Sequence, residues 1–318
     1  MKVSVIIPTF QRERFLQDAL AGVRAQEFPK DEYEILIVDN GPQPSAKLSG
    51  LRDLKGTPQV RCLHEPHNGL HHARHAGARI AQGEILVFID DDVLCPPEWL
   101  PAMLEPYHNP QVALVAGKVE LAFESEPPPW LRQFYDILSA LDWGDTAHAL
   151  APYLSPAGCN MSVRQSVLFA VGGFNPDAFG DRRLIHLRGD GECGLARKIH
   201  EAGFWVWYAP QAWLQHRVPA SRMTMEYIQR RSALAGIEEA YIDLRYHCRS
   251  VFRIGAHGGN AISKYFYHRV QAIRHPFDDE RRFYHEALAS RYLYRAYQYS
   301  RQAISSELRQ YTKLETYF

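Results

Sequence analysis

Hydrophobic residues come as short unbroken runs separated by stretches of helical spacing. Val3-Ser4-Val5-Ile6-Ile7-Pro8 predicts a buried strand that the proline stops. Over residues 12–26, Phe15, Leu16, Ala19, Leu20 and Val23 recur at helical spacing. Tyr33 to Val38 predicts a second strand, ending in the turn sequence Asp39-Asn40-Gly41-Pro42. Val60 to Leu63 predicts a third, short strand that closes on His64-Glu65. Residues 70–81 form a helical pattern, which Gly83 breaks. Five apolar residues, Ile85 to Ile89, then run straight into Asp90-Asp91-Asp92, and an unbroken run of this kind suits a strand buried on both faces. Val112 to Val115 predicts another strand. Pro127-Pro128-Pro129 before Trp130 predicts a rigid loop, with an irregular stretch to about residue 157. From Thr224 onward the pattern is helical, through Tyr227, Ile228, Leu234, Ile237, Tyr241 and Leu244, then Tyr284, Leu288 and Tyr292. His257-Gly258-Gly259 predicts a loop between helices.

Strands alternating with helices predict βαβ units: an α/β, Rossmann-like fold with a mostly parallel sheet flanked by helices. Right-handed crossovers then place Thr9, Asp39, His64-Glu65 and Asp90 to Asp92 along one rim. That rim, at the carboxyl ends of the strands, is where open α/β sheets bind ligands. Three adjacent carboxylates repel one another unless a cation compensates, and hard divalent ions with oxygen ligands do so. The plainer reading of the triple Asp is an acidic lead into the helix start at Pro96-Pro97-Glu98. Four polar strand ends on one rim favour a nucleotide-type cleft.

Composition changes little. With 46% hydrophobic and 23% charged residues in 318, the chain has the make-up of an ordinary globular protein of one large or two modest domains. A formal net charge of zero gives no global argument for nucleic acid. The charge is uneven, however. Residues 1–219 hold 20 Lys/Arg against 26 Asp/Glu, and residues 220–318 hold 16 against 10, with 17 Tyr and Phe. A basic, Tyr-rich segment suits an anionic surface, such as a peripheral membrane contact. Packing on the chain's own acidic part, or on a second subunit of a homodimer, gives the same counts and is the favoured expectation. Cys62, Cys95, Cys159, Cys193 and Cys248 are scattered and form no C-x-x-C pair, which suits a reducing compartment. No signal peptide pattern follows Lys2, and no window approaches 18 apolar residues. The expected location is cytoplasmic, with peripheral contact at the inner membrane face left open.

A series of short motifs carries a family resemblance. They are Val5-Ile6-Ile7-Pro8-Thr9-Phe10, Val38-Asp39-Asn40-Gly41, Asn68-Gly69 with Ala73-Arg74-His75-Ala76-Gly77, and Gly83-Glu84 with the triple Asp. Gly158-Cys159-Asn160-Met161-Ser162, Gly172-Gly173-Phe174, Gly189-Asp190-Gly191-Glu192 with Leu195, and His216 follow in order. Over roughly residues 2–217 the chain resembles family 2 glycosyltransferases of the GT-A fold. The resemblance implies an inverting transferase that uses a nucleotide-diphosphate sugar, usually UDP-linked, with Mn²⁺ or Mg²⁺. It implies that Pro8, Thr9, Phe10 and Arg12 line the base and ribose pocket and that Asp39 accepts from the uracil edge. It further implies that Asn68, Gly69 and Arg74 lie near base and diphosphate, and that Asp90 and Asp91 contact the nucleotide sugar. Asp92 and His216 would hold the metal, and Glu192 would be the catalytic base. Gly191-Glu192 stands where the family has Glu-Asp, so Asp190 stays as the alternative base; His75 stands where the family has Asn. The implied organisation is a catalytic domain over 1–220, its nucleotide-sugar half about 1–117 and its acceptor half about 118–220, then a helical region over 221–318. Trp130, Trp143 and Asn160 are the acceptor-side candidates.

The chemistry matches these residue types. Inversion needs a carboxylate to take the acceptor proton on the face opposite the leaving group, and Glu192 leads directly into the apolar spacing of Leu195, Ala196 and Ile199. The competing reading of Glu192 is a helix N-terminal acid. Gly189 to Gly194 is formally G-x-G-x-x-G, but Arg182 to His186 makes a poor strand and residues 212–216 contain no acid, so a dehydrogenase is rejected. His64, His67, His71, His72 and His75 lack zinc-hydrolase spacing and are expected to be solvated or substrate-facing. Two rivals remain: a non-catalytic nucleotide-sugar-binding scaffold, and a sugar nucleotidyltransferase. The second wants a glycine-rich loop after the first strand, where this chain has Pro8-Thr9-Phe10-Gln11-Arg12.

Overall fold

Four parallel strands build the rim. In the computed structural model, which describes residues 3–45, 48, 56–176, 189–247 and 250–313, these are β1 (Val3–Thr9), β2 (Tyr33–Asp39), β3 (Gln59–His64) and β4 (Ile85–Ile89). Cys248 and the segment 182–186 lie outside the described residues. The strands stand in the order β3-β2-β1-β4. Thr9 pairs with Asp39 and Asp39 with His64, so the polar ends align. Every residue of β1, β2 and β4 is buried. Alternate residues point to opposite faces, and each face has its own core. Val5, Ile7, Ile35, Ile37 and Val87 meet Leu16, Ala19 and Val23 of α1 (Glu13–Arg24). Ile6, Leu36, Val38, Leu86 and Phe88 meet Ala73 and Ala76 of α2 (Leu70–Ile80).

The remaining strands are β5 (Val93–Leu94), β6 (Val112–Phe123), β7 (His148–Ala149), β8 (Asn160–Arg164) and β9 (Trp205–Val218). They add shorter antiparallel pairings to the mostly parallel sheet. β8 inserts between β4 and β6 and runs antiparallel to both. It is entered from the long irregular segment ahead of it rather than from a crossover helix, so nothing forces it parallel. β6 and β9 pair in parallel, and β5 pairs antiparallel with β9, setting Val93 opposite His216. That pairing brings the end of the triple Asp to a residue more than a hundred positions away. Between these strands lie α3 (Trp99–Leu104), α4 (Gln165–Ala170) and α5 (Gly191–Glu201).

The C-terminal region contains α6 (Met225–Ile242), α7 (Val251–Arg274), α8 (Asp279–Ile304) and α9 (Ser306–Tyr311). Thr224 caps α6 by accepting from the Tyr227 N–H. Glu239 and Asp243 bind Arg295 of α8 at 2.9 and 2.6 Å, and Glu239 also pairs with Arg291. The start of α8 rests on a 3₁₀ turn at Pro129–Phe134, with Trp130 against Phe283 and the Gln133 side chain donating to Glu280 O. Part of the basic segment therefore packs on its own chain. His257-Gly258-Gly259 is no loop: it lies inside α7. Gly258 is buried, and a Cβ there would lie 3.4 Å from Tyr299 Cβ, so close helix packing overrides the local preference of glycine. Among the described residues, Cys62, Cys95, Cys159 and Cys193 form no disulfide. No described helix is long and apolar enough to cross a membrane.

Candidate active site

A cleft of about 240 Å³ opens over the ends of β1 and β4. Pro8, Thr9, Phe10, Arg12, Asn68, Asp90 and Asp91 line it, together with Asn40 and Leu70. Between β1 and α1, Gln11 takes the left-handed φ of 54°, a conformation that non-glycine residues adopt at some cost. Arg12 follows and reaches Asp91 at 3.3 Å and Asp92 at 2.9 Å. Thr9 Oγ1 donates to Asp91 at 2.7 Å. Burial nonetheless pushes the Asp91 carboxyl up to about 6.

Three of the expected nucleotide residues sit elsewhere. Asp39 is buried, and its two oxygens accept from the backbone N–H groups of Gly41 and Ser45, at 3.1 and 2.6 Å. These bonds shape the loop that follows β2. Its neighbour Asn40 faces the cleft instead, donating to Glu65 O and His67 O and accepting from Gly69 N–H. Gly69, at φ 139°, occupies the turn into α2 rather than the cleft wall. Arg74 lies buried beneath: it donates to Gly158 O at 2.9 Å and stands 3.8 Å from Asp90 and 3.6 Å from Glu192.

One ligand atom each from Asp90, Asp92 and His216 falls within 4.8 Å of the others. His216 Nδ1 donates to Leu138 O at 2.9 Å, which directs the Nε2 lone pair at Asp92 Oδ1, 3.2 Å away. Arg222 donates to the same Nε2 at 3.3 Å and to Asp92 Oδ2 at 2.7 Å. Asp92 Oδ1 is buried and accepts no hydrogen bond. A buried carboxylate oxygen facing an imidazole lone pair is a donor set that wants a cation, and a divalent ion with mixed O/N ligands fits it. Burial opposes ionisation of Asp92, but when His216 is protonated and donates from Nε2, it outweighs burial together with Arg222 and Arg12 and holds the carboxyl well below its ordinary value. Asp90, Asp92 and His216 are residues that the family resemblance singles out. Arg222 belongs to no motif and is brought in by the 3₁₀ turn that follows β9.

Glu192 lies in the first turn of α5 and is partly exposed. A Cβ on Gly158 would sit 1.9 Å from Glu192 Oε1 and 2.4 Å from Arg74 Nη2, so a side chain there would displace this pair. Asp190, the alternative base, is buried and accepts from Asn175 at 2.6 Å. Burial raises its pKa against the hydrogen bonds of Asn175 and Tyr246. Its partners are structural, and it lines no part of the cleft described above.

The acceptor-side candidates make these contacts. Asn160 is buried and pins strands together, accepting from Trp99 Nε1 and donating to Lys118 O and Ala212 O. Trp130 packs edge-on against Phe134 and Phe283, and Trp143 against Tyr208. His71 and His75 are buried rather than solvated. Among the described residues, the histidines of 64–75 form no metal cluster.

Residues 4–173, more than half of the chain, match the profile of glycosyl transferase family 2. The chain is 26% identical, over 77% of its length and 79% of the relative's, to the glucosyl-dolichyl phosphate glucuronosyltransferase of Haloferax volcanii. It is 23% identical to the succinoglycan biosynthesis protein ExoM of Rhizobium meliloti, covering 74% of this chain and 73% of that one. Among solved structures, a mannosyltransferase of Pyrobaculum calidifontis in complex with GDP-Man and Mn²⁺ superposes with a TM-score of 0.55 at 23% identity, over 74% of this chain and 62% of that one. TarS from S. aureus in complex with UDP-GlcNAc superposes at 0.51 and 17% identity, over 74% and 66%. The chain thus spans less than two thirds of each of these solved proteins, whose likeness shows the GT-A fold. Profile, relatives and fold agree, and the chain belongs to glycosyltransferase family 2.

Proposed function

We propose that the protein transfers a sugar, with inversion, from a UDP-linked donor to a hydroxyl of a saccharide or lipid-linked saccharide, in polysaccharide or glycoconjugate synthesis. The observation that carries this reading is the placement of Arg74 between Asp90 and Glu192. One guanidinium spans the donor-side carboxylate and the carboxylate suited to deprotonate an acceptor. Glu192 is the proposed base, since of the two partly exposed carboxylates beside Arg74 it is the one outside the Asp90, Asp92 and His216 cluster. Its proton acceptance is timed to the loss of the diphosphate, which Arg74 and Arg12 stabilise through charge-assisted hydrogen bonds. Thr9, Phe10, Asn40 and Asn68 hold the nucleoside. Asp90, Asp92 and His216 would hold Mn²⁺ or Mg²⁺. Such an ion, when bound, supplies Lewis-acid neutralisation of the leaving diphosphate. The relative named for a dolichyl phosphate substrate and the one named for succinoglycan biosynthesis support the acceptor class. The solved neighbours take GDP- and UDP-sugars.

Calorimetric titration of UDP, GDP and dTDP, with and without Mn²⁺, tests the reading on wild type and Asp92→Ala. Mn²⁺-dependent binding of UDP, lost in Asp92→Ala, is expected. Preference for GDP would move the donor assignment, and no nucleotide binding under any condition would return the scaffold reading.

A further inference from the structure

The helix α7 has one face packed and one bare. Ile254, Gly258, Ala261, His268 and Ala272 are buried, and the helix packs on α8. These positions recur at steps of three, four and seven residues, as a single helix face requires. On the other side Phe252 is 87% exposed, Phe266 60% and Ile273 71%, with Ile262 and Val270 between them. Phe277, 99% exposed, extends the stripe just past the end of the helix. At 100° per residue these apolar positions fall on one side of the helix. Exposed apolar surface of this extent and continuity marks an interaction site.

Charge identifies the partner. Between residues 251 and 274 the helix carries Arg253, Lys264, Arg269 and Arg274 and no Asp or Glu. The nearest acids in sequence, Asp278 and Asp279, are paired with Arg281 and Arg282. An apolar stripe on a helix whose Lys and Arg face no acid of the same helix is the composition of one that lies in the headgroup region of an anionic bilayer. A second copy of the chain fits less well, because an isologous contact through this face sets cation against cation. We propose that the outer face of α7 docks on an anionic lipid surface, with Phe266, Ile273 and Phe277 entering the interface and Arg269 and Arg274 meeting lipid phosphates. The inference stands apart from the donor and acceptor assignments.

The test is sedimentation of the full chain with vesicles of phosphatidylcholine alone or with about a third phosphatidylglycerol, at low and high salt. Wild type is expected to associate with the anionic vesicles and to lose that association as salt rises. Both Phe266→Ser/Ile273→Ser and Arg269→Glu/Arg274→Glu are expected to reduce partitioning at least about tenfold. All these side chains are exposed, and a thermal melt checks that each variant is folded. Absence of wild-type association, or undiminished association in either variant, overturns the proposal. So does a wild-type dimer that becomes monomeric in Phe266→Ser/Ile273→Ser, since a second copy would then cover the face.

Discussion

Gly158 shows how little space separates a working site from a blocked one. Its missing Cβ would overlap Glu192 Oε1 and Arg74 Nη2, so Gly158→Ala must push the carboxylate aside. A displacement of about 1 Å at a reacting group costs on the order of 10²-fold in rate, and this is the expected loss of kcat with the fold retained. Glu192→Gln removes the proton acceptor itself, so kcat is expected to fall about 10²–10⁴-fold with donor affinity unchanged. Asp190→Asn should act differently. It weakens the buried contact with Asn175 and is expected to lower the melting temperature more than the turnover. If Asp190→Asn abolishes turnover in a stable protein and Glu192→Gln spares it, the two roles are exchanged. The family's motif order singled out Asp90, Asp92 and Glu192, and the fold brings Asp90 and Asp92 to His216 and sets Asp90 and Glu192 beside Arg74. Residue identity was not legible for Asn40 and Arg222, whose positions depend on how a loop and a 3₁₀ turn close in space. The loop contacts of Asp39 were not legible for a related reason: nothing in a sequence says that a backbone N–H will meet each of its oxygens.

Elements were legible where one periodicity dominates. β1, β2 and β4 are buried on both faces and appear as continuous apolar runs, with boundaries close to those expected. β8 was not, because its antiparallel place between β4 and β6 is set by a long connection without pattern. The glycine pair in α7 misled for the opposite reason: local preference was clear and tertiary contact overrode it. Gly259 is exposed, within the helix, and has nothing within 4 Å of a Cβ built on it. Gly259→Ala is therefore expected to stabilise α7 by about 0.5–1 kcal/mol, raising the melting temperature by roughly 2 °C. A fall in melting temperature would show that residues 257–259 are not helical.

At the scale of the whole molecule, acid sensitivity follows from one buried imidazole. His75 on α2 accepts the Phe174 backbone N–H on Nε2 at 2.9 Å, tying the helix under the cleft to the chain after α4. That bond requires the neutral ring. Burial, with further contributions from His71, Arg79, His72 and Lys198, pushes its pKa down to about 3 from 6.5. Between those two values the unfolded chain binds a proton that the folded chain refuses, so stability falls as pH drops through about 6.5 towards 3 and is flat above. By pH 5 the loss amounts to roughly 2 kcal/mol. Urea unfolding midpoints between pH 7 and 5 check this on wild type and His75→Gln, whose amide oxygen still accepts from Phe174. The variant is expected to be less stable at pH 7 and to lose less between pH 7 and 5, so the two curves converge on the acid side. Parallel curves would move the acid limb to other groups. Convergence would show that the histidine at position 75 trades acid tolerance for a neutral, buried bond that keeps α2 and Arg74 in place beneath the cleft.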